Sequence, residues 1–139
     1  MPQHITVLDY DTEWIPNYRQ ERERLSRILQ DNCLALYHIG STSVPGLAAR
    51  PVIDILGVVR SLEKADAVAD RFADCGYECL GECGMPGRRC YHKGGDDLAH
   101  QIHLFQAEDW TNIGRHLAFR DFLRTHAEER EAYARLKKE

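Results

Sequence analysis

The sequence has no apolar run approaching the roughly 20 residues that a membrane-spanning helix needs. The opening segment MPQHITVLDYD also has neither a basic stretch nor an apolar core, so it lacks the features of a secretory signal. With 43% apolar and 29% charged residues, the composition is typical of a globular protein in water. We therefore predict a cytoplasmic protein without a membrane partner.

An excess of positive charge is also absent, since 18 Lys and Arg residues stand against 22 Asp and Glu residues. The formal net charge of -4 argues against a nucleic-acid partner, because binding to a phosphate backbone normally requires a basic surface. No repeat, linker or low-complexity segment interrupts the chain. Its 139 residues are expected to form one domain, residues 1–139, around one core.

Cysteine is present in an odd number, five, and without a secretory signal these residues are expected to be reduced thiols. Cys75, Cys79, Cys83 and Cys90 precede His92, which raises the alternative of a structural zinc site. The spacing argues against zinc, because such sites usually use C-x2-C pairs, whereas the gaps here are three, three and six residues. Buried or half-buried thiols are the simpler interpretation.

The pattern of apolar residues predicts an α+β domain. We expect helices at about 13–30, 62–75, 109–124 and 127–138, and strands at 5–8, 34–39, 52–59, 77–82, 88–93 and 100–106. The charged run 20–27 is interpreted as a solvated helix face with local ion pairs. Strand 52–59 is apolar almost throughout, which indicates cover on both faces. This order of elements predicts a mixed β-sheet flanked by helices.

A turn rich in glycine, serine and proline joins strands 34–39 and 52–59. The H-I-G-H signature of class I aminoacyl-tRNA synthetases does not fit it, because Ser41 replaces the second histidine. The Gly-Ser turn of polymerase-beta-type nucleotidyltransferases fits better: Gly40 allows close backbone approach, and Ser41 offers a hydroxyl and an N–H to a phosphate. Asp54 then returns on the next strand, where a carboxylate can hold Mg2+. Leu56 occupies the position of the usual second acid.

Longer segments carry a specific resemblance: HIGSTSVPGL followed by PVIDI, with YDTEW, GECGMPGRR, HQIHLF, LAFRDFLRTH and AYARLK. From about Ile5 to Lys137 the chain resembles the GrpB family of small uncharacterised proteins. The resemblance implies a polymerase-beta-type nucleotidyltransferase-like fold, and some family members are fused to dephospho-CoA kinase or acetyltransferase domains. Arg50 stands where the family more often has lysine, which keeps the charge but changes its geometry.

The family motif, carried onto this chain, indicates the candidate site residues. Asp54 and His103 are the candidate catalytic and metal-binding residues, and the candidate substrate-binding residues are His38, Gly40, Ser41, Arg50, Glu82, Arg89 and Arg120. Asp121 belongs to the same motif, with a structural ion pair as its expected role.

Structural roles remain open for several of these residues. His38 can cap the strand end by bonding a backbone carbonyl, and Asp54 can bond the N–H groups of the Gly-Ser turn. Glu82 and Arg89 flank the GMPG turn and can pair with each other, and Arg89 can alternatively clamp a phosphate.

Two functions remain open from the sequence. The first is a metal-dependent nucleotidyltransferase-like enzyme that binds a nucleotide or another phosphate-bearing small molecule. Its divalent metal would be Mg2+ or Mn2+, with Zn2+ as a further option, because the imidazole of His103 is a poor Mg2+ ligand. The second is a non-catalytic ligand-binding or regulatory module on the same fold, which the missing second acid favours. The sequence predicts no oligomeric state.

Overall fold

Five strands form one mixed sheet in the computed structural model of the chain, which describes residues 7–94 and 98–126. They are β1 (Cys33–Ile39), β2 (Val52–Val59), β3 (Glu78–Gly81), β4 (Arg88–Gly94) and β5 (Ala99–Gln106). Their order in the sheet is β1-β2-β5-β4-β3, in which β2 and β5 run parallel and the other neighbours run antiparallel. The predicted α+β class with a mixed sheet is confirmed.

Helices cover both faces of this sheet. They are α1 (Trp14–Leu29), α2 (Leu62–Ala67), α3 (Ala69–Asp74) and α4 (Trp110–Thr125), with short 3-10 turns at Gln30–Asn32 and Ser41–Ser43. The helix predicted at 62–75 is divided at Val68, whose backbone (φ -106°, ψ 20°) leaves the helical region. Within the described ranges, no helix has the length and apolarity that crossing a membrane would require.

Two predicted elements fall at the ends of the chain. The helix expected at 127–138 lies outside the described residues. Residues 5 and 6 of the strand expected at 5–8 also lie outside them, and Leu8 makes an isolated antiparallel bridge to Ala49.

The side chains of β2 alternate between two apolar clusters, which explains the apolar character of that strand. Ile53, Ile55 and Val59 pack in the cluster that also contains Trp14 and Leu25 of α1. On the opposite face, Leu56 and Phe105 pack together against Ile113 and Leu117 of α4. The central strands are therefore buried on both sides, as their sequence predicts.

A buried carboxylate connects α1 to the edge of the sheet formed by β3 and β4. Glu21 is only 2% exposed, and its Oε2 accepts a hydrogen bond from the Tyr77 hydroxyl at 2.5 Å and another from Lys93 Nζ. Burial alone would raise the pKa of Glu21, but the bonds from Lys93 and Tyr77 outweigh it and leave this pKa lowered. The prediction of a solvated face over 20–27 is therefore wrong for Glu21, whereas the local ion pair of Glu23 with Arg27 is present.

The substitution Glu21→Ala should lower the free energy of unfolding by about 3–5 kcal/mol, because it leaves the buried Tyr77 hydroxyl and the half-buried Lys93 ammonium without their acceptor. Glu23→Ala, on the exposed face of the same helix, is the matched control and should change it by less than about 0.5 kcal/mol. Urea unfolding of both variants measures the difference. Equal stabilities of the two variants would contradict a structural role for the Glu21 cluster.

Candidate functional site

The carboxylate of Asp54 lies against the backbone of the Gly-Ser turn. β1 ends at Ile39, which pairs with Asp54, and the next residue, Gly40, has a φ of +71°. A Cβ at Gly40 would lie 2.5 Å from Asp54 Oδ2, so a side chain there would collide with the acid. Ser41 follows as the first residue of the 3-10 turn. Glycine is thus required for both conformation and space, and the turn and the acid form one site.

His103 reaches the same acid from the neighbouring strand. β5 runs parallel to β2 with His103 level with Leu56, and the Nε2 of His103 lies 3.6 Å from Asp54 Oδ1. Both side chains are partly accessible, at 14% and 24% exposure. The other ring nitrogen, Nδ1, lies 4.0 Å from Cys90 Sγ on β4. The structure therefore brings the two candidate catalytic residues together at a solvent-accessible position.

The position of the usual second acid is part of the core. Leu56 is fully buried and packs with Phe105 and Ile39 under α4. An ionised carboxylate at this position would have to be desolvated among apolar neighbours, at a cost of several kcal/mol. The site therefore has a single acid for a structural reason.

Helix α4 lays three polar side chains along this face at intervals of four residues. The His116 ring stacks on the His103 ring with centroids 5.8 Å apart, Arg120 Nη1 donates to the His38 carbonyl at 3.3 Å, and Arg124 donates twice to the Ser43 carbonyl. The sequence analysis missed His116 and Arg124. Their spacing of i, i+4 and i+8 around Arg120 is the signal that could have found them.

The environment of His116 shifts the pKa of its imidazole. Burial lowers the pKa of its imidazole, and the nearby His103 and Arg88 lower it further, whereas the charge of Asp54 opposes them. The lowered pKa favours the neutral form of the His116 imidazole beside His103.

The His38 side chain lies on the face of the sheet that α1 covers, opposite the face that carries Asp54. Its ring stacks on Tyr18 at 4.7 Å, and its Nε2 lies 2.9 Å from Thr42 Oγ1. The Thr42 hydroxyl donates its only hydrogen to the Val52 carbonyl, so it accepts from the Nε2–H of His38. Burial, with added repulsion from Arg124 and Arg120, lowers the pKa of His38 to about 4. The ring is therefore neutral and connects the turn to β2.

Most of the remaining candidate residues are engaged by partners other than Asp54. Arg89 points to the opposite face, where it makes a two-pronged ion pair with Asp66 at 2.8 and 3.1 Å, and its contact with Glu82 is longer, at 3.9 Å. Glu82 accepts from the Gly87 N–H at 2.9 Å inside its own turn. Arg50 is exposed ahead of β2. In α4, Asp121 pairs with Arg120 at 2.9 Å.

Metal ligands are limited to a pair in this site. Across residues 7–94 and 98–126, no three His, Cys, Asp or Glu side chains are grouped so that they could hold a metal ion. Cys75, Cys79, Cys83 and Cys90 therefore do not assemble a zinc site with His92. Asp54 and His103 offer one oxygen and one nitrogen ligand, and a cation there would need further ligands from a bound molecule or water.

Comparison with known proteins places these features in a family. The family described as "GrpB protein" matches residues 4–139. The UPF0157 protein YqkA of Bacillus subtilis is 38% identical over 135 residues, which are 97% of this chain but 39% of that protein. The chain thus spans well under half of YqkA's length.

Solved structures extend the comparison to the fold. The crystal structure of the conserved protein GrpB from Enterococcus faecalis shares 43% identity and a TM-score of 0.93, covering 96% of this chain and 81% of that one. The Cid1 poly(U) polymerase with MgGTP bound aligns with a TM-score of 0.59 at 16% identity, covering 88% of this chain and 41% of that one. This likeness shows the nucleotidyltransferase-like fold that the sequence predicts.

The pKa of His38 predicts how stability depends on pH. Because the folded pKa of about 4 lies below the ordinary 6.5, the unfolded chain binds the proton more tightly. The stability from His38 is complete above pH 6.5 and is lost as the pH falls from 6.5 to about 4, by about 3 kcal/mol. His38→Gln should remove this part of the slope, as measured by urea unfolding at several pH values. The same slope in wild type and variant would show that His38 does not titrate in this way.

Proposed function

The chain belongs to the GrpB family, and from the geometry around Asp54 we propose that it is an enzyme that binds a nucleotide or another phosphate-bearing small molecule and transfers a nucleotidyl or related group. The observation that carries this proposal is the contact of the Asp54 carboxylate with Gly40, beside His103. A ligand phosphate at the Gly40-Ser41 turn would lie next to the acid and the imidazole in one accessible site.

Positive charge around the turn would neutralise the phosphates. Arg120 and Arg124 anchor their guanidinium groups on the carbonyls of His38 and Ser43, which flank Gly40 and Ser41. Arginine is always charged and offers several N–H donors. Asp121 already pairs with Arg120 at 2.9 Å, so a ligand phosphate would take over part of that ion pair. Arg50 is a further cation near the start of β2. Arg89 has a lesser role in this proposal, since Asp66 engages it on the opposite face.

A divalent cation would have Asp54 and His103 as its protein ligands, with phosphate oxygens and water completing its coordination. The nitrogen donor favours Mn2+ or Zn2+ over Mg2+. The metal would supply charge neutralisation at the transferred phosphate. Asp54 and His103 would orient that phosphate, and the neutral His116 behind His103 would hold the His103 ring in place through stacking.

A second candidate function is a ligand-binding module without catalysis. The specific observation in its favour is the burial of Leu56, which makes the one-acid site part of the core. Such a module would bind the same class of ligand at Gly40 and Ser41 but would form no product. Binding and turnover therefore distinguish the two functions.

Calorimetric titration with nucleoside triphosphates, with and without Mn2+, tests the proposal. Asp54→Asn should weaken binding in the presence of Mn2+ by about tenfold or more, because a charge-assisted contact contributes about 1.5–3 kcal/mol. Without metal, removing a carboxylate beside an anionic ligand should not weaken binding. Pyrophosphate release that is lost in Asp54→Asn would establish an enzyme, and binding without product would establish the module.

Asp66→Asn is the matched control, since this acid lies on the opposite face of the sheet and should leave binding at the wild-type level. Gly40→Ala provides an independent variant: its Cβ would collide with Asp54 Oδ2, so it should weaken binding as Asp54→Asn does. Absence of binding by folded wild-type protein would overturn both candidate functions.

A further inference from the structure

A row of polar side chains begins at Asp54 and crosses four strands of the sheet. Asp54 of β2 is paired with Gln101 of β5. Gln101 is paired in turn with His92 of β4, and His92 is paired with Glu78 of β3. Paired residues on neighbouring strands point to the same side of a sheet, so these four side chains lie on one face as a polar row. With about 4.8 Å between strands, the polar row is about 14 Å long.

The polar row lies on the face of the sheet that carries the candidate site. The His103 ring stacks on His116 of α4, and Gln101 lies two positions before His103 in β5, so both side chains of this strand point to the same face. Tyr91, the neighbour of His92 in β4, stacks instead on Phe72 of α3, which covers the opposite face. The polar row is therefore continuous with the site around Asp54.

The side chains of the polar row are accessible. Asp54, Gln101 and His92 are partly exposed, and Glu78 is exposed. Within residues 7–94 and 98–126, no hydrogen bond or ion pair joins the side chain of Gln101, His92 or Glu78 to another residue. A ligand can therefore bond these three side chains without breaking a contact among the described residues.

The chemistry of the polar row decides which part of a ligand it can hold. The ionised carboxylate of Glu78 only accepts hydrogen bonds, and it would repel a phosphate, which also carries negative charge and acceptor oxygens. A sugar hydroxyl, in contrast, can donate to a carboxylate and accept from an amide. The Gln101 carboxamide both donates and accepts, which matches a hydroxyl in either role. The polar row therefore fits an uncharged, hydroxyl-bearing group and not a second phosphate.

We propose that Gln101, His92 and Glu78 form a subsite for the sugar of a ligand whose phosphate lies at the Gly40-Ser41 turn. This inference rests on the proposed function and names the substrate class of the same site. Because Gly40 lies against Asp54, where the polar row begins, a ligand anchored at the turn would extend along the row toward Glu78. The sugar is the ribose of a nucleotide or that of a free sugar phosphate, since both present hydroxyl groups to the row.

Calorimetric titration of the full chain in Mn2+ tests the proposal with ligands that differ only in their sugar hydroxyls. Wild type should bind ATP about three- to tenfold more tightly than dideoxy-ATP, which lacks both free ribose hydroxyls and their hydrogen bonds to the polar row. Gln101→Ala and Glu78→Ala should each reduce this preference by weakening the binding of ATP and not that of dideoxy-ATP. Ribose-5-phosphate and deoxyribose-5-phosphate form the second arm, and a larger preference between these two identifies a free sugar phosphate as the ligand.

Gln20→Ala and Glu23→Ala are the matched controls. Both residues are exposed on α1, which covers the opposite face, so both variants should keep the wild-type preference. A wild type that binds hydroxylated and deoxy ligands equally in both arms would overturn the subsite and leave the proposed function intact, as would a Gln101→Ala variant that keeps the full preference. A folded wild type that binds none of these ligands would overturn the subsite together with the proposed function.

The position of the sugar has its own measurement. With Mg2+ in place of the paramagnetic Mn2+, the histidine-ring NMR signals of His92 should shift on addition of ATP and shift less with dideoxy-ATP. His100, whose Nε2 lies 2.7 Å from Asn17 Oδ1 on the opposite face, is the matched control and should not shift. Equal shifts of the His92 signals with the two ligands would show that the sugar does not lie on the polar row.

Discussion

The parallel pairing of β2 with β5 is the interaction on which the rest of the structure depends. It joins two halves of the chain, since β1 and β2 precede the long crossover through α2, α3, β3 and β4, and β5 follows it. Both central strands are buried on both faces, so their register is fixed by packing as well as by hydrogen bonds. The same register brings Asp54 and His103 side by side and places Leu56 against Phe105.

Around this pairing, the polar groups of the site are arranged in a short chain of contacts. His38 connects the turn to β2 through Thr42, and Gly40 leaves room for the carboxylate of Asp54. Helix α4 adds His116, which stacks on His103, and Arg120, which bonds the His38 carbonyl. In the described part of the chain, no buried side-chain nitrogen or oxygen lacks a hydrogen-bond partner. Such a satisfied network is rigid, which suits a site that must orient a ligand.

The charge balance of the site differs from that of a nucleotidyltransferase with several acids. Asp54 stands beside the imidazole rings of His103 and His116, and Asp121 is engaged by Arg120, so little negative charge is available to bind more than one cation. A ligand that brings its own phosphates would complete such a site. β4 pairs with β5 and places Cys90 opposite His103 at the same edge of the site.

The sequence by itself determined the elements and the location of the acid. Alternating and helical patterns identified α1, β1, β2, β4, β5 and α4 to within a few residues, because side-chain periodicity reflects which face is buried. The motif around Gly40 indicated both the fold and the proximity of Asp54, since a short turn between adjacent strands restricts where the second strand can lie.

Tertiary structure decided which polar residues meet. Glu21 and Arg89 have the same local pattern as solvated charges, and only the packing of α1 and α2 on the sheet shows that one is buried with Tyr77 and the other engaged by Asp66. The spacing from Arg120 places His116 on the same face of α4, but its contact with His103 depends on where that helix packs on the sheet. Contacts between residues distant in the chain depend on strand order and helix placement, and periodicity along one segment carries no information about either.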